Sequence, residues 1–227
     1  MIRKIAPLAI AGLGGLIYWL LVTTEGTYLG PKAVVLLYDW VAPRYDRGKK
    51  LHYVDESRYL GIPLFEALRD VSRPCVLDVA TGTGRLPLAL LAQWEFDGKI
   101  VGLDRSVGML RQARIALADH SDRVTLLRGD AGHLAFADES FDAVTSLESL
   151  EFMPDPAAVI AEMLRVLKPG GVMLVSNRVG RDARYFPGRL CGRGRLENHL
   201  QELGMEQVRT DFWQVHYDLI WGRKAPA

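Results

Sequence analysis

The chain has 227 residues, 49% of them apolar, and a formal net charge of +1. That length fits one α/β domain with an N-terminal extension, and the near-neutral balance gives no bulk electrostatic pull toward nucleic acid. The two cysteines, Cys75 and Cys191, have neither metal-ligand spacing nor a disulfide framework, so no metal is expected and a reducing compartment fits.

In chain order, Ile5 to Val22 is an uncharged apolar run, preceded by Arg3 and Lys4 and carrying Tyr18-Trp19 near its end. A run of that length just suffices to cross a bilayer as a helix, and the aromatic pair suits an interface. A cleaved signal peptide would need an Ala-x-Ala-like site, which Thr23-Thr24-Glu25-Gly26 does not supply. A buried core helix and a helix lying flat in the interface are the other readings. The expectation is a membrane anchor over residues 1–24, a single pass with the rest of the chain cytoplasmic. The oligomeric state is not legible.

Residues 25–72 read as a helical cap. Pro31 starts and Pro43 stops an apolar helix through Ala33–Val41, which could roof a site, rest on a membrane or simply pack on the core. Tyr45-Asp46 follows. Asp55 to Asp70 then has an amphipathic helical pattern, bent at Gly61-Ile62-Pro63.

Residues 73–227 alternate strand and helix. Strands are expected at 75–79, 99–103, 124–127, 141–147 and 172–176. Helices are expected at 86–94, from a Ser106 cap, and at 156–167 before Lys168-Pro169-Gly170-Gly171. Such alternation implies a parallel sheet covered on both faces. Arg178 to Arg195 reads as a loop, 196–203 as a short helix, and 207–213 with 215–221 as a hairpin supplying an antiparallel edge.

The most informative stretch is Val76-Leu77-Asp78-Val79-Ala80-Thr81-Gly82-Thr83-Gly84. It reads as strand, tight turn and helix start, where glycines let a ligand approach the backbone. A second strand ends about twenty residues on at Asp104, the spacing at which an acid takes two ribose hydroxyls. The P-loop lysine is missing, and Pro87 stands where Gly-x-Gly-x-x-Gly needs its third glycine. A carboxylate at Asp78 would repel a pyrophosphate but attract an ammonium group, which suits S-adenosylmethionine better than NAD.

At these residues the sequence resembles the class I S-adenosylmethionine-dependent methyltransferases, and among them the quinone-biosynthesis enzymes. The family's first motif, Asp/Glu-x-Gly-x-Gly-x-Gly, is matched at Asp78, Gly82 and Gly84, with Ala80 at the first glycine. Gly129-Asp130-Ala131, Phe141-Asp142 and Leu164-x-x-Leu167-Lys168-Pro169-Gly170-Gly171 follow in the family's order. The resemblance implies a Rossmann-like, doubly wound, seven-stranded α/β sheet with an antiparallel edge strand, and S-adenosyl-L-methionine as cofactor. It places Asp78, Ala80, Thr81, Gly82 and Gly84 at the methionine part and Asp104 on the ribose. Arg105 and Met109 would flank the adenine, Asp130 would accept from its amino group with Ala131 beside it, Tyr45 would close over the donor, and Leu147 is a further cofactor-binding position.

The catalytic residue, if any, is not legible. Acceptor-side candidates lie in Leu147–Met153, where Glu148 or Glu151 could act as base, hold a cation or be plain surface. The quinone enzymes carry an Arg-Asn pair there, which this chain lacks. The expected function is methyl transfer to a lipophilic small molecule (a quinone precursor, isoprenoid or lipid) at a membrane. The alternative is a donor-binding scaffold without transferase activity.

Overall fold

The computed structural model describes residues 12–49 and 53–226, with side chains omitted also at 53 and 54. Strands β1 (Cys75–Val79), β2 (Lys99–Asp104), β3 (Val124–Arg128), β4 (Phe141–Ser146), β5 (Leu167–Arg178), β6 (Met205–Phe212) and β7 (Tyr217–Lys224) form one seven-stranded sheet. Their order is β3-β2-β1-β4-β5-β7-β6. The first five are mutually parallel, and β7 runs antiparallel to both β5 and β6. Parallel strands need both faces covered, and the apolar runs of β1 and β4 are accordingly buried almost throughout.

The helices are α1 (Pro31–Val41), α2 (Tyr45–Lys49), α3 (Tyr53–Glu56), α4 (Ile62–Leu68), α5 (Arg85–Leu91), α6 (Val107–Ala116), α7 (Pro156–Val166) and α8 (Arg195–Glu202). Leu60 and Leu64 join Leu86 and Leu90 of α5 on one sheet face; Ile160 and Met163 of α7 join Leu196 and Leu200 of α8 on the other. Asp155 caps α7 by accepting from Ala158 N–H at 3.0 Å, with Pro156 at the first helical position. The bend expected at 61–63 is a π-helical turn over Ser57–Gly61 leading into α4. An ideal Cβ on Gly61 would fall 2.1 Å from the Ala89 carbonyl oxygen, so this glycine is what lets the turn pack against α5.

The antiparallel edge is as expected: β7 is the reversed strand, with Leu219, Ile220 and Trp221 buried, and its hairpin partner β6 lies outermost with most of its residues exposed. The hairpin is legible in sequence, but which of its strands pairs with β5 follows from the continuous apolar run of β7.

The anchor expected at 1–24 falls partly on residues 1–11, outside the described ones. Residues 12–18 are α-helical and Trp19–Thr23 continue as a π-helix. Among the described residues no helix is long and apolar enough to cross a membrane. Instead the segment turns back on the domain: Gly26 N–H donates to the Leu20 carbonyl, and the Trp19 ring stacks on Tyr28 at 5.2 Å.

Candidate active site

The C-terminal ends of β1, β2 and β4 make the floor of a cavity of about 390 Å³, the usual ligand position in an open parallel sheet. After β1, the turn runs through three left-handed residues: Ala80 (φ 58°), Gly82 (φ 56°) and Gly84 (φ 89°). The glycines differ in role. An ideal Cβ on Gly82 meets nothing within 4 Å, whereas one on Gly84 would strike Leu117 at 2.8 Å. Gly82 therefore opens the turn to a ligand, and Gly84 lets it pack on the end of α6. Ala80 holds a conformation that costs a residue with a Cβ about 1–2 kcal/mol.

Asp104 ties this turn to the next strand. Its carboxylate accepts from Gly82 N–H at 2.8 Å and from Ser106 N–H at 2.8 Å, and burial raises its pKa. Ser106 in turn caps α6 by accepting from Met109 N–H at 3.0 Å. The backbone thus presents an acid, an open glycine and the apolar side chains of Leu103 and Met109 to one space.

Of the residues singled out from the sequence, Tyr45, Ala80, Gly82, Asp104, Arg105, Met109, Asp130, Ala131 and Leu147 line this cavity. Asp78, Thr81 and Gly84 do not. Asp78 is buried beneath the turn, where its carboxylate accepts from the Thr145 hydroxyl at 2.7 Å. Burial pushes its pKa up to about 6 against that hydrogen bond. Asp130 sits at the exposed rim, accepting from Gly132 N–H at 3.1 Å and lying 3.5 Å from the Arg105 guanidinium.

A roof from the N-terminal cap closes the cavity. Pro31, Val34, Val35 and Tyr38 of α1 line it opposite Phe152 and Met153. The Tyr38 ring lies 6.0 Å from both Tyr45 and Phe152, and its hydroxyl donates to Glu25 at 2.6 Å. Two acids fasten the roof to the floor. Asp39 accepts from the Ser106 hydroxyl at 2.5 Å and Gly108 N–H at 2.7 Å; Asp46 accepts from the Thr83 hydroxyl at 2.7 Å. Gly108 allows the approach, since a Cβ there would come within 2.8 Å of the Asp39 backbone. The sequence reading missed Asp39. Its one signal is an acid inside an otherwise apolar helix.

Glu148 lines the acceptor side of the cavity and is held tightly. Lys49 and Arg85 each donate to it at 2.5 Å, and Gln214 donates at 3.1 Å. Burial acts to raise its pKa, but the two cations outweigh burial and hold the carboxyl below its ordinary range. Arg85 also pairs with Glu56 at 2.7 Å and stacks 4.5 Å from the Trp213 ring centre. Glu151 is buried, accepts from the Tyr217 hydroxyl and pairs with Arg178 at 3.3 Å; burial raises its pKa. Neither acid is the surface residue that the bland sequence reading allowed. Among the described residues no cluster of His, Cys, Asp and Glu could hold a metal ion.

Comparison with known proteins matches these features. A family model described as a methyltransferase domain matches residues 76–171, which hold β1, β2, β3, β4 and the floor of the cavity. The demethylmenaquinone methyltransferase of Lactiplantibacillus plantarum is 38% identical over 136 residues, covering 59% of this chain and 57% of that protein. The enzyme of the same description from Clavibacter sepedonicus is 37% identical over 145 residues, covering 64% and 58%. The aligned part therefore spans less than three fifths of these relatives' length. Among solved structures, the [4+2]-cyclase SpnF superposes with a TM-score of 0.61 at 23% identity, covering 75% of this chain and 81% of that one. The CurJ carbon methyltransferase gives 0.64 at 14% identity, covering 74% and 54%. These likenesses establish the fold; a cyclase among them means that the fold by itself does not establish methyl transfer. Residues 76–171 thus match a methyltransferase domain, and this part of the chain is similar to the demethylmenaquinone methyltransferases.

Proposed function

We propose that the protein transfers a methyl group from S-adenosylmethionine to a lipophilic small molecule presented at a membrane, with a quinone precursor the first acceptor to test. The observation that carries this reading is one cavity with two chemistries. Its floor offers an open glycine turn and the Asp104 carboxylate, and its roof is an apolar and aromatic wall of Val34, Val35, Tyr38 and Phe152.

The floor fits the donor. Gly82 leaves room for it, Asp104 is placed to accept from ribose hydroxyls, and Met109 with Leu103 offers an apolar wall to an adenine. When bound, S-adenosylmethionine supplies an electrophilic methyl group. The chain's own residues then contribute alignment and exclusion of water, which carry much of the rate for such a transfer. The Tyr38, Tyr45 and Phe152 rings keep the reacting space apolar. Glu148 is paired to two cations, so it fixes the cavity wall rather than taking a proton. The Arg-Asn pair that the quinone enzymes carry in this segment is absent from Leu147–Met153, so the acceptor meets a different polar edge.

The test is to incubate the full chain with donor labelled in the methyl group, an acceptor-rich lipid extract and a panel of reduced quinone precursors. Label in an organic-soluble product, absent when donor or protein is omitted, is the expected result. Donor binding with no labelled product from any of these acceptors would reject the transferase reading.

A further inference from the structure

The acids and bases of the cap are sorted by direction. Residues 12–49 contain the acids Glu25, Asp39 and Asp46. All three point inward: Glu25 accepts from Tyr38, Asp39 from Ser106 and Gly108, and Asp46 from Thr83. Of the bases, Lys49 is bound to Glu148. Lys32, Arg44 and Arg47 are exposed and make no ion pair with a described residue.

The apolar residues are sorted too. On α1, Val34, Val35 and Tyr38 face the cavity, whereas Lys32, Leu36 and Trp40 recur at four-residue spacing along the outward row. Leu36 is 67% and Trp40 72% exposed. The neighbouring N-terminal segment exposes Leu16, Ile17, Tyr18, Leu21 and Val22. An exposed apolar face this long needs a cover.

We propose that this face, with Leu36 and Trp40 at its centre and Lys32, Arg44 and Arg47 at its margin, docks on an anionic lipid bilayer surface. The occupant follows from the charge sorting. A face with apolar centre, cationic margin and no outward acid among residues 12–49 matches acidic headgroups above acyl chains; a protein partner would need no such uniform sign. The protein then lies on the bilayer rather than through it. Because the inner row of α1 lines the cavity, docking sets the cavity wall one helix thickness from the lipid. This gives the proposed lipophilic acceptor a short route, and in that purpose alone the inference rests on the proposed function.

The test is sedimentation of the full chain with vesicles of phosphatidylcholine alone or with one quarter phosphatidylglycerol. No acceptor or donor is needed, so failure here leaves the transferase reading standing, and failure of methyl transfer leaves this surface standing. Each cation near an anionic surface is worth roughly a fivefold change in partition. Lys32→Glu/Arg44→Glu/Arg47→Glu should therefore weaken binding to the anionic vesicles by at least about 100-fold at low salt. Leu36→Glu/Trp40→Glu should weaken binding to both vesicles at least about tenfold. Both variants should keep wild-type donor affinity and thermal midpoint, since all five side chains are exposed. Wild-type vesicle binding by Leu36→Glu/Trp40→Glu would overturn the proposal, because the segment before α1 would then suffice. So would binding indifferent to phosphatidylglycerol, or a wild-type dimer that this double variant converts to monomer without any vesicle binding.

Discussion

The floor and the roof of the cavity are built by opposite means. The floor is local. An apolar strand, a left-handed turn and a helix start follow one another within a dozen residues, and the ligand-facing groups are backbone groups or acids bound to backbone. The roof is remote. Helix α1 is held over the floor by side chains whose partners lie about seventy residues away, Asp39 to Ser106 and Gly108, and by Lys49 reaching Glu148. A site made this way has a donor half that survives sequence change outside its motif and an acceptor half that depends on a few carboxylates.

The two buried carboxylates sharpen that comparison, because their pKa values move in opposite directions. The largest effect is expected at Glu148→Gln. It strips the charge that Lys49 and Arg85 are paired to, and uncoupling a buried pair costs about 3–5 kcal/mol. Lys49 is partly exposed, which puts the expected loss at the lower end. Since the folded pKa of Glu148 lies below its ordinary 4.5, its stabilising contribution is full above that value and is lost as pH falls through the folded value. Urea titrations from pH 3 to 7 should show that acid-side loss in the wild type and a reduced one in Glu148→Gln.

Asp78 should behave the other way. Its folded pKa of about 6 exceeds its ordinary 3.8, so the folded state holds the extra proton between those values. Its contribution is most favourable below about pH 4 and is lost as pH rises to 6. At pH 7 Asp78→Asn should therefore stabilise the ligand-free protein, by up to ~3 kcal/mol, and lose that advantage below pH 4. The same titrations read it, and a destabilised Asp78→Asn at pH 7 would show that the ionised acid supports the turn.

A smaller effect falls on the roof alone. Asp39→Ala removes the bonds from Ser106 and Gly108 at the start of α6 and should cost about 1–2 kcal/mol. Hydrogen exchange should rise along α1 while β1 keeps its protection. Equal loss in both would mean that roof and floor are one cooperative unit.

This division also explains what the sequence made legible. Strand positions, the glycine turn and the β2 acid follow from apolar runs and local backbone needs, so β1 could be placed beforehand and nine of the twelve site residues read from the sequence line the cavity. Pro31 and Pro43 likewise fixed α1 within a residue or two. Asp39 as a fastener, Glu148 as a neutralised wall and the inside position of β7 depend on partners brought together only by folding, and no local pattern encodes them. The membrane expectation rested on an apolar run with a basic start and an aromatic pair near its end. Hydropathy registers the apolar run but not the return of residues 19–30 onto α1.

The central claim is that the floor binds S-adenosylmethionine through Asp104. Calorimetric titration of the donor into wild type and Asp104→Ala, each checked for an intact thermal transition, tests it most directly. Hydrogen bonds to a charged group are worth about 1.5–3 kcal/mol each, so the account predicts one donor site in the wild type and affinity at least about tenfold weaker in a folded Asp104→Ala. Equal affinity in the two folded proteins, or no heat of binding in the wild type, would contradict it.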